Sequence, residues 1–322
     1  MARFSKKSFF LSYMALIFFC NAIFILCVTK VHENVHKNDQ DMNPWPQGIP
    51  QYELHKDHFL SIATIFKNEA DILNEWIEHH LWQGVDHFYL VNNDSTDDSL
   101  PALLPYIRKG IVTVIPYKQK HIQSETMKSL LPFVSMASEW VMLIDMDEFV
   151  FAHPMAGKGD TIKEVLMKLS KPSLIYLNWI MFGSSGHVEQ PKSVRASFTR
   201  CGSNPSKEGK YIIHSSGLQE YHQHFPLVKK GTQKLFGCLL PNRDQCKDNT
   251  VLQINHYPLM SWNRFKNVKM TRGDVSESQY ESIRNEDYFK NYDILGNETN
   301  CYELANLTRQ SLFPKHADSF HV

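Results

Sequence analysis

Apolar and polar positions change their period several times along this chain. "FLSIATIF" (59–66) is a nearly unbroken apolar run, the pattern of a strand buried on both faces. "KNEADILNEWIEHHLWQG" follows, with apolar residues at 72, 73, 76, 77 and 81; that spacing marks one face of a helix, which Gly84 closes. "VDHFYLVNND" predicts a second strand, "STDDSLPALLPYIRKG" a loop and short helix, "IVTVIPY" a third strand, residues 122–138 a helical region, and "WVMLIDMDEF" a fourth strand. Strands alternating with helices predict an α/β fold, a mainly parallel twisted sheet with helices on both faces.

Ligands of such sheets gather outside the carboxyl ends of the strands. Three polar clusters fall there: Lys67, Asn68 and Glu69 after the first strand; Asn92, Asn93 and Asp94, with Asp97, after the second; Asp145, Asp147 and Glu148 after the fourth. Carboxylates behind a buried strand are costly unless a metal ion, a cationic partner or solvent compensates them. No GxGxxG or GxxxxGK[ST] loop follows the first strand, which argues against a dinucleotide domain and a P-loop NTPase. Asn68 and Asp71 are suited to capping the first helix.

The N-terminus has a different pattern. Arg3, Lys6 and Lys7 precede Phe9 to Val28, 20 residues without a charge, enough to span a bilayer as a helix. A cleaved leader would have a shorter apolar region and a small-residue cleavage site, so the stretch reads as a retained anchor. The basic flank puts the N-terminus in the cytoplasm. The expected organisation is a cytoplasmic tail (1–8), a transmembrane anchor (9–28), a polar, proline-bearing stem (29–57) and a lumenal domain (58–322).

That topology decides how the cysteines read. Cys20 and Cys27 fall in the span, and Cys201, Cys238, Cys246 and Cys301 lie in an oxidising compartment, where disulfides in any of three pairings are expected. Asn297 and Asn306 sit in glycan sequons, as does Asn93. Lys plus Arg and Asp plus Glu number 34 each, so nothing draws the chain to nucleic acid or to anionic membranes. The 43% hydrophobic and 12% aromatic content is ample for a core.

"ATIFKNEADILNEWIEHHLWQGVDHFYLVNNDSTDDS", "WVMLIDMDEFVF", "NWIMFGSSGH" and "INHYPLMSWNRFKNVKMTRGD" occur in this order over residues 59–275. Together they resemble lumenal glycosyltransferases of family 92 and their family 2 relatives, which have the GT-A fold. The resemblance implies a Golgi, type II membrane hexosyltransferase. It would take a UDP-sugar, galactose favoured, and transfer it with inversion to a glycan acceptor on a glycoprotein or glycolipid.

The resemblance also assigns roles. Asp147, Asp145 and His256 would hold manganese or another divalent cation, with Asp145 also at the ribose; oxygen and imidazole donors suit such ions. Lys269 and Arg272 would clamp the diphosphate. Lys67, Glu69, Asn93 and Asp94 would line the nucleotide pocket, and an Asn93 facing the nucleotide cannot carry a glycan. Inversion needs a carboxylate base, for which Glu189 and Glu220 are candidates. Trp179 and Phe182 read as core aromatics rather than sugar platforms. A lumenal binding or scaffold protein that keeps the fold without turnover is the alternative, since fold does not guarantee function. A metal-dependent phosphodiesterase would want more clustered histidine and aspartate ligands.

Overall fold

The computed structural model describes residues 56–117, 123–154, 161–222, 224–246, 250–272 and 283–309. The expected anchor (9–28) and nearly all of the stem lie outside them. Among the described residues no helix is long and apolar enough to cross a membrane.

The first half follows the predicted alternation: β1 (His58–Phe66), α1 (Ala70–Trp82), β2 (His87–Asn93), α2 (Ser99–Arg108), β3 (Val112–Tyr117), α3 (Gln123–Ala137) and β4 (Ser138–Leu143). These four strands pair in parallel in the order β3-β2-β1-β4. The apolar run therefore alternates between two cores. Trp140, Met142 and Ile144 pack with Ile72, Leu73 and Trp76 of α1 on one face; Val141 and Leu143 pack with Met127, Leu131 and Val134 of α3 on the other. Helices cover both faces, as the pattern predicts.

The second half breaks the parallel pattern. It comprises β5 (Glu148–Ala152), β6 (Ser173–Met181), β7 (Arg200–Cys201), β8 (Gly209–His214), β9 (Leu218–Glu220), β10 (Leu227–Val228), β11 (Gln233–Phe236), β12 (Leu252–His256) and β13 (Thr299–Asn300). The main sheet continues from β4 through β8, β6 and β12 to β5, with β11 also beside β6. β8 is antiparallel to both neighbours, and β5 is antiparallel to β12, so the sheet is mixed.

The expected fourth strand is in fact two. β4 stops at Leu143 and β5 begins at Glu148, with residues 144–147 turning between them: the Glu148 N–H donates to the Asp145 carbonyl (3.1 Å) and the Asp145 N–H to Glu148 Oε2 (2.8 Å). An apolar run interrupted by carboxylates that bond their own backbone leaves the ladder.

α1 explains why β5 stays in place. β5 ends the sheet, and an outer edge exposes unpaired backbone groups. Trp76 Nε1 donates to the Glu148 carbonyl (2.8 Å), His79 Nε2 meets the Val150 carbonyl (2.7 Å), His80 Nε2 accepts the Val150 N–H (3.3 Å) and Gln83 Oε1 accepts the Ala152 N–H (3.0 Å). Trp76, His79 and His80 of α1, with Gln83 just after it, thus bond the free edge of β5. Gly84, at φ +87°, turns the chain after the helix, where a Cβ would lie 2.5 Å from the side chain of Lys163.

Candidate active site

The turn between β4 and β5 and the end of β12 bring Asp147, Glu148 and His256 together. One ligand atom from each lies within 4.8 Å of the others. The Tyr257 N–H donates to the Asp147 carbonyl (2.9 Å), which joins the turn to the end of β12. Glu148 is fully buried; its Oε1 and the Nδ1 of His256 have no hydrogen-bond partner among the described residues. Buried polar atoms without partners are uncommon and call for an explanation. His256 turns its Nε2 to Asp147 Oδ1 (3.7 Å). Two carboxylates and an imidazole form a donor set that suits Mn²⁺ or a similar divalent cation, and the partnerless Glu148 Oε1 fits that assignment.

Two buried lysines stand against these acids. Lys210, the second residue of β8, donates to Asp145 Oδ2 (2.9 Å) and lies 3.9 Å from Glu148 Oε1. Lys269 donates to Asp147 Oδ2. Burial pushes the Glu148 carboxyl well above its ordinary value, against the pull of Lys210. Burial would raise Asp147 as well, but Lys269 and His256 hold it well below the carboxylate range. Burial depresses His256 to about 4 despite Asp147, so its ring is neutral near pH 7 and able to ligate. The Trp179 ring lies 4.6 Å from that of His256 and 5.9 Å from the Lys210 ammonium. Tyr221 lines a cleft with Thr64, Ile65, Asp145 and Lys210.

A second ionic cluster lies at the end of β1. Glu69 receives both Arg264 and Arg272, and Arg264 also donates to Asp71 Oδ2 (2.7 Å). Burial would raise the Glu69 carboxyl, but Arg272, Arg264 and Lys269 lower it to about 2. The loop after β2 completes the cluster: Asn68 Oδ1 accepts the Thr96 N–H (2.8 Å), Ser99 Oγ accepts the Glu69 N–H (3.1 Å) and Asp97 Oδ2 accepts the Ala70 N–H (2.9 Å).

Similarity to other chains agrees with the order of the motifs. The family model described as Glycosyltransferase family 92 matches residues 56–303. The chain belongs to glycosyltransferase family 92. It is 28% identical over 233 residues to a family 92 protein of Oryza sativa subsp. japonica, covering 69% of this chain and 37% of that one. An Arabidopsis thaliana family 92 protein is 26% identical over 226 residues, covering 65% and 36%. The chain therefore spans less than two-fifths of the length of these relatives. Among solved structures, S. aureus TarS in complex with UDP-GlcNAc aligns at TM-score 0.33 and 15% identity, over 49% of this chain and 46% of that one. HddC from Yersinia pseudotuberculosis aligns at TM-score 0.33 and 12% identity, over 56% and 90%.

Within this family 92 chain the predicted residues fall into distinct places. Asp147 and His256 converge, and Lys269 joins them. Asp145, expected among the cation's ligands, lies outside the group and holds Lys210 instead. Arg272, expected at the diphosphate, is committed to Glu69, and its Nη2 reaches the Asn68 carbonyl (3.4 Å). Lys67 and Asn93 are half-buried at the ends of β1 and β2, and Asp94 is exposed at φ +54°. Glu189 is exposed and accepts from Asn263, while Glu220 is exposed in β9.

Neither expected cap serves α1. Asn68, at φ +52°, bonds Thr96, and Asp71 holds Arg264; the N-cap position belongs to Glu69, whose side chain makes no capping bond. Phe182 is core, but Trp179, read as core, also borders His256 and Lys210. Lys210 and Glu148 had no assigned role. The one signal for Lys210 was a lone charge entering the apolar strand "GKYIIH".

The structure selects one of the three disulfide pairings: Cys201–Cys301 and Cys238–Cys246.

Proposed function

We propose that this chain is a hexosyltransferase that moves a sugar, galactose favoured, from a UDP-sugar to a glycan acceptor with inversion, from the lumenal side of the Golgi membrane. One observation carries the reading: a family 92 chain places two carboxylates and an imidazole, two of their atoms buried without hydrogen-bond partners, at the strand ends beside two buried lysines. Asp147, Glu148 and His256 would hold a divalent cation, which when bound would supply charge compensation for the departing nucleotide diphosphate.

The chain's own residues do the rest. Lys210 holds Asp145 in place at the cleft edge, where the carboxylate can accept from the donor's ribose. Lys269 adds positive charge where the diphosphate departs. Trp179 packs against the His256 ring and fixes its plane. Glu220 directly precedes Tyr221 of the cleft, which favours it as the base over Glu189, tied to Asn263.

UDP release by the purified full chain across a panel of UDP-sugars, with mixed glycan acceptors and with or without chelator, tests the reading. Chelator-sensitive release from one sugar, lost in Asp147→Ala, supports it. No release above that variant from any sugar, with the protein demonstrably folded, would overturn it in favour of a binding protein.

A further inference from the structure

Lys269 occupies the carboxylate that the proposed cation needs. Its ammonium bonds Asp147 Oδ2, and both side chains are less than one-tenth exposed. Of the other two donors, Glu148 Oε1 has no hydrogen-bond partner among the described residues, with the Lys210 ammonium 3.9 Å away, and His256 turns its Nε2 to Asp147 Oδ1 at 3.7 Å. Asp147 is the member of the group that a lysine bonds directly. An ammonium and a divalent cation on one carboxylate repel each other, so the two compete for it.

The segment that carries Lys269 is anchored independently of it. Residues 262–272 run as a helical stretch with a π-turn over Phe265–Lys269, a distortion frequent at functional sites. Arg264, before the π-turn, is fixed to Glu69 and Asp71, and Arg272, after it, to Glu69. With the backbone held at both ends, the flexible stem of Lys269 can change partner without moving the helix. Glu69 also attracts the Lys269 ammonium electrostatically, which offers it a second anion on the same wall.

We propose that Lys269 is a built-in counter-ion of this site: it holds Asp147 until a divalent cation binds, then yields the carboxylate and becomes available to the anionic donor. The inference rests on the functional reading above and adds to it a defined exchange. It accounts for how the Asp147 carboxylate is compensated at a buried strand end before any cation arrives, beside Asp145 and Glu148, which face Lys210.

Mn²⁺ binding to the full chain without nucleotide, followed by the electron paramagnetic resonance signal of the free ion, tests it in Lys269→Met, Lys269→Gln and the charge-keeping Lys269→Arg, with thermal melts to verify folding. Removing one unit charge beside the ion should tighten Mn²⁺ binding by about tenfold or more in Lys269→Met and Lys269→Gln, and little in Lys269→Arg. UDP binding at saturating Mn²⁺ should weaken in the same two variants. Equal or weaker Mn²⁺ binding in folded Lys269→Met, with the unaltered chain binding normally, overturns the exchange alone. If the unaltered chain binds no more Mn²⁺ than Asp147→Ala, the cation reading falls with it, while chelator-insensitive UDP release would leave the transferase standing.

Discussion

The Arg264 guanidinium lies against the Glu69 carboxylate across 195 positions of the chain, with Arg272 on the same carboxylate. This contact joins the end of the first strand to the helical segment that delivers Lys269. Removing one partner of a buried ion pair strands the other charge, which is far more damaging than the pair's net worth suggests.

Acid should therefore weaken the fold at this point. The Glu69 carboxyl sits at about 2 in the folded chain against 4.5 ordinarily, so its contribution is complete above pH 4.5 and fades as pH falls towards 2. By linkage that contribution is roughly 3 kcal/mol. Urea unfolding at pH 6 and pH 3 should show a smaller drop for Glu69→Gln, already weakened at pH 6, than for the unaltered chain. Equal drops would refute the assignment.

Asp145 and Asp147 should separate on substitution although two positions apart. Asp147→Ala removes one of three converging donors and should lower transfer about 100-fold or more, with loss of Mn²⁺ binding. Asp145→Asn keeps an acceptor for Lys210 and lies outside the donor group, so it should weaken donor binding and leave Mn²⁺ binding near that of the unaltered chain. Mn²⁺ titration beside UDP-sugar kinetics reads both effects.

The difference between these aspartates marks how far the sequence could be read. α1 was legible because Ile72, Leu73, Trp76 and Ile77 repeat at the helical period, and the parallel strands because each apolar run is bounded by polar residues. That β4 stops before the first carboxylate of "WVMLIDMDEFVF" was legible; that a second strand resumes at Glu148 was not, because the turn is made by side-chain and backbone bonds of Asp145 and Glu148 that no pattern announces. His79 and His80 gave no sign of bonding an edge strand, since nothing local says that β5 is the edge. Convergence of Asp147 with His256 was accessible only through motif resemblance. Lys210 on Asp145 and Arg264 on Glu69 are long-range pairings that no periodicity encodes.

Gly209 should prove intolerant of any side chain. A Cβ there would lie 1.9 Å from the Leu177 carbonyl oxygen, a backbone atom of the neighbouring β6. Gly209→Ala must push β8 away from β6 and carry Lys210 from Asp145. A loss of about 2–3 kcal/mol in chemical denaturation, within the range of overpacked cores, is expected, with weakened donor binding in whatever remains folded. Stability like that of the unaltered chain would show that the strand is looser than this contact implies.

The two disulfides should contribute unequally. Cys201–Cys301 closes 100 residues and ties the β13 region to β7, whereas Cys238–Cys246 closes 8. On chain entropy alone the long loop is worth about 4–5 kcal/mol and the short one about 2–3. Cys201→Ser with Cys301→Ser should accordingly lower the thermal midpoint more than Cys238→Ser with Cys246→Ser. Peptide mapping without reduction checks the pairing itself.

The two C-terminal sequons should differ in occupancy when the chain passes through the secretory pathway. Asn306 is exposed on the helix Glu303–Arg309, so a glycan there meets solvent. Asn297 is engaged at both ends of its amide: Nδ2 donates to Asp293 Oδ1 (2.7 Å) and Oδ1 accepts the Ser185 N–H (3.1 Å). The amide also fills the space beside Gly183, where a Cβ would come within 2.6 Å of it. A sugar on Nδ2 would have to open this contact and free the loop that follows β6, leaving buried polar groups without partners. Glycopeptide mass spectrometry of folded, secreted-pathway protein should find Asn306 modified and Asn297 bare. Substantial occupancy of Asn297 in folded protein would mean that the Gly183–Asn297 packing does not form.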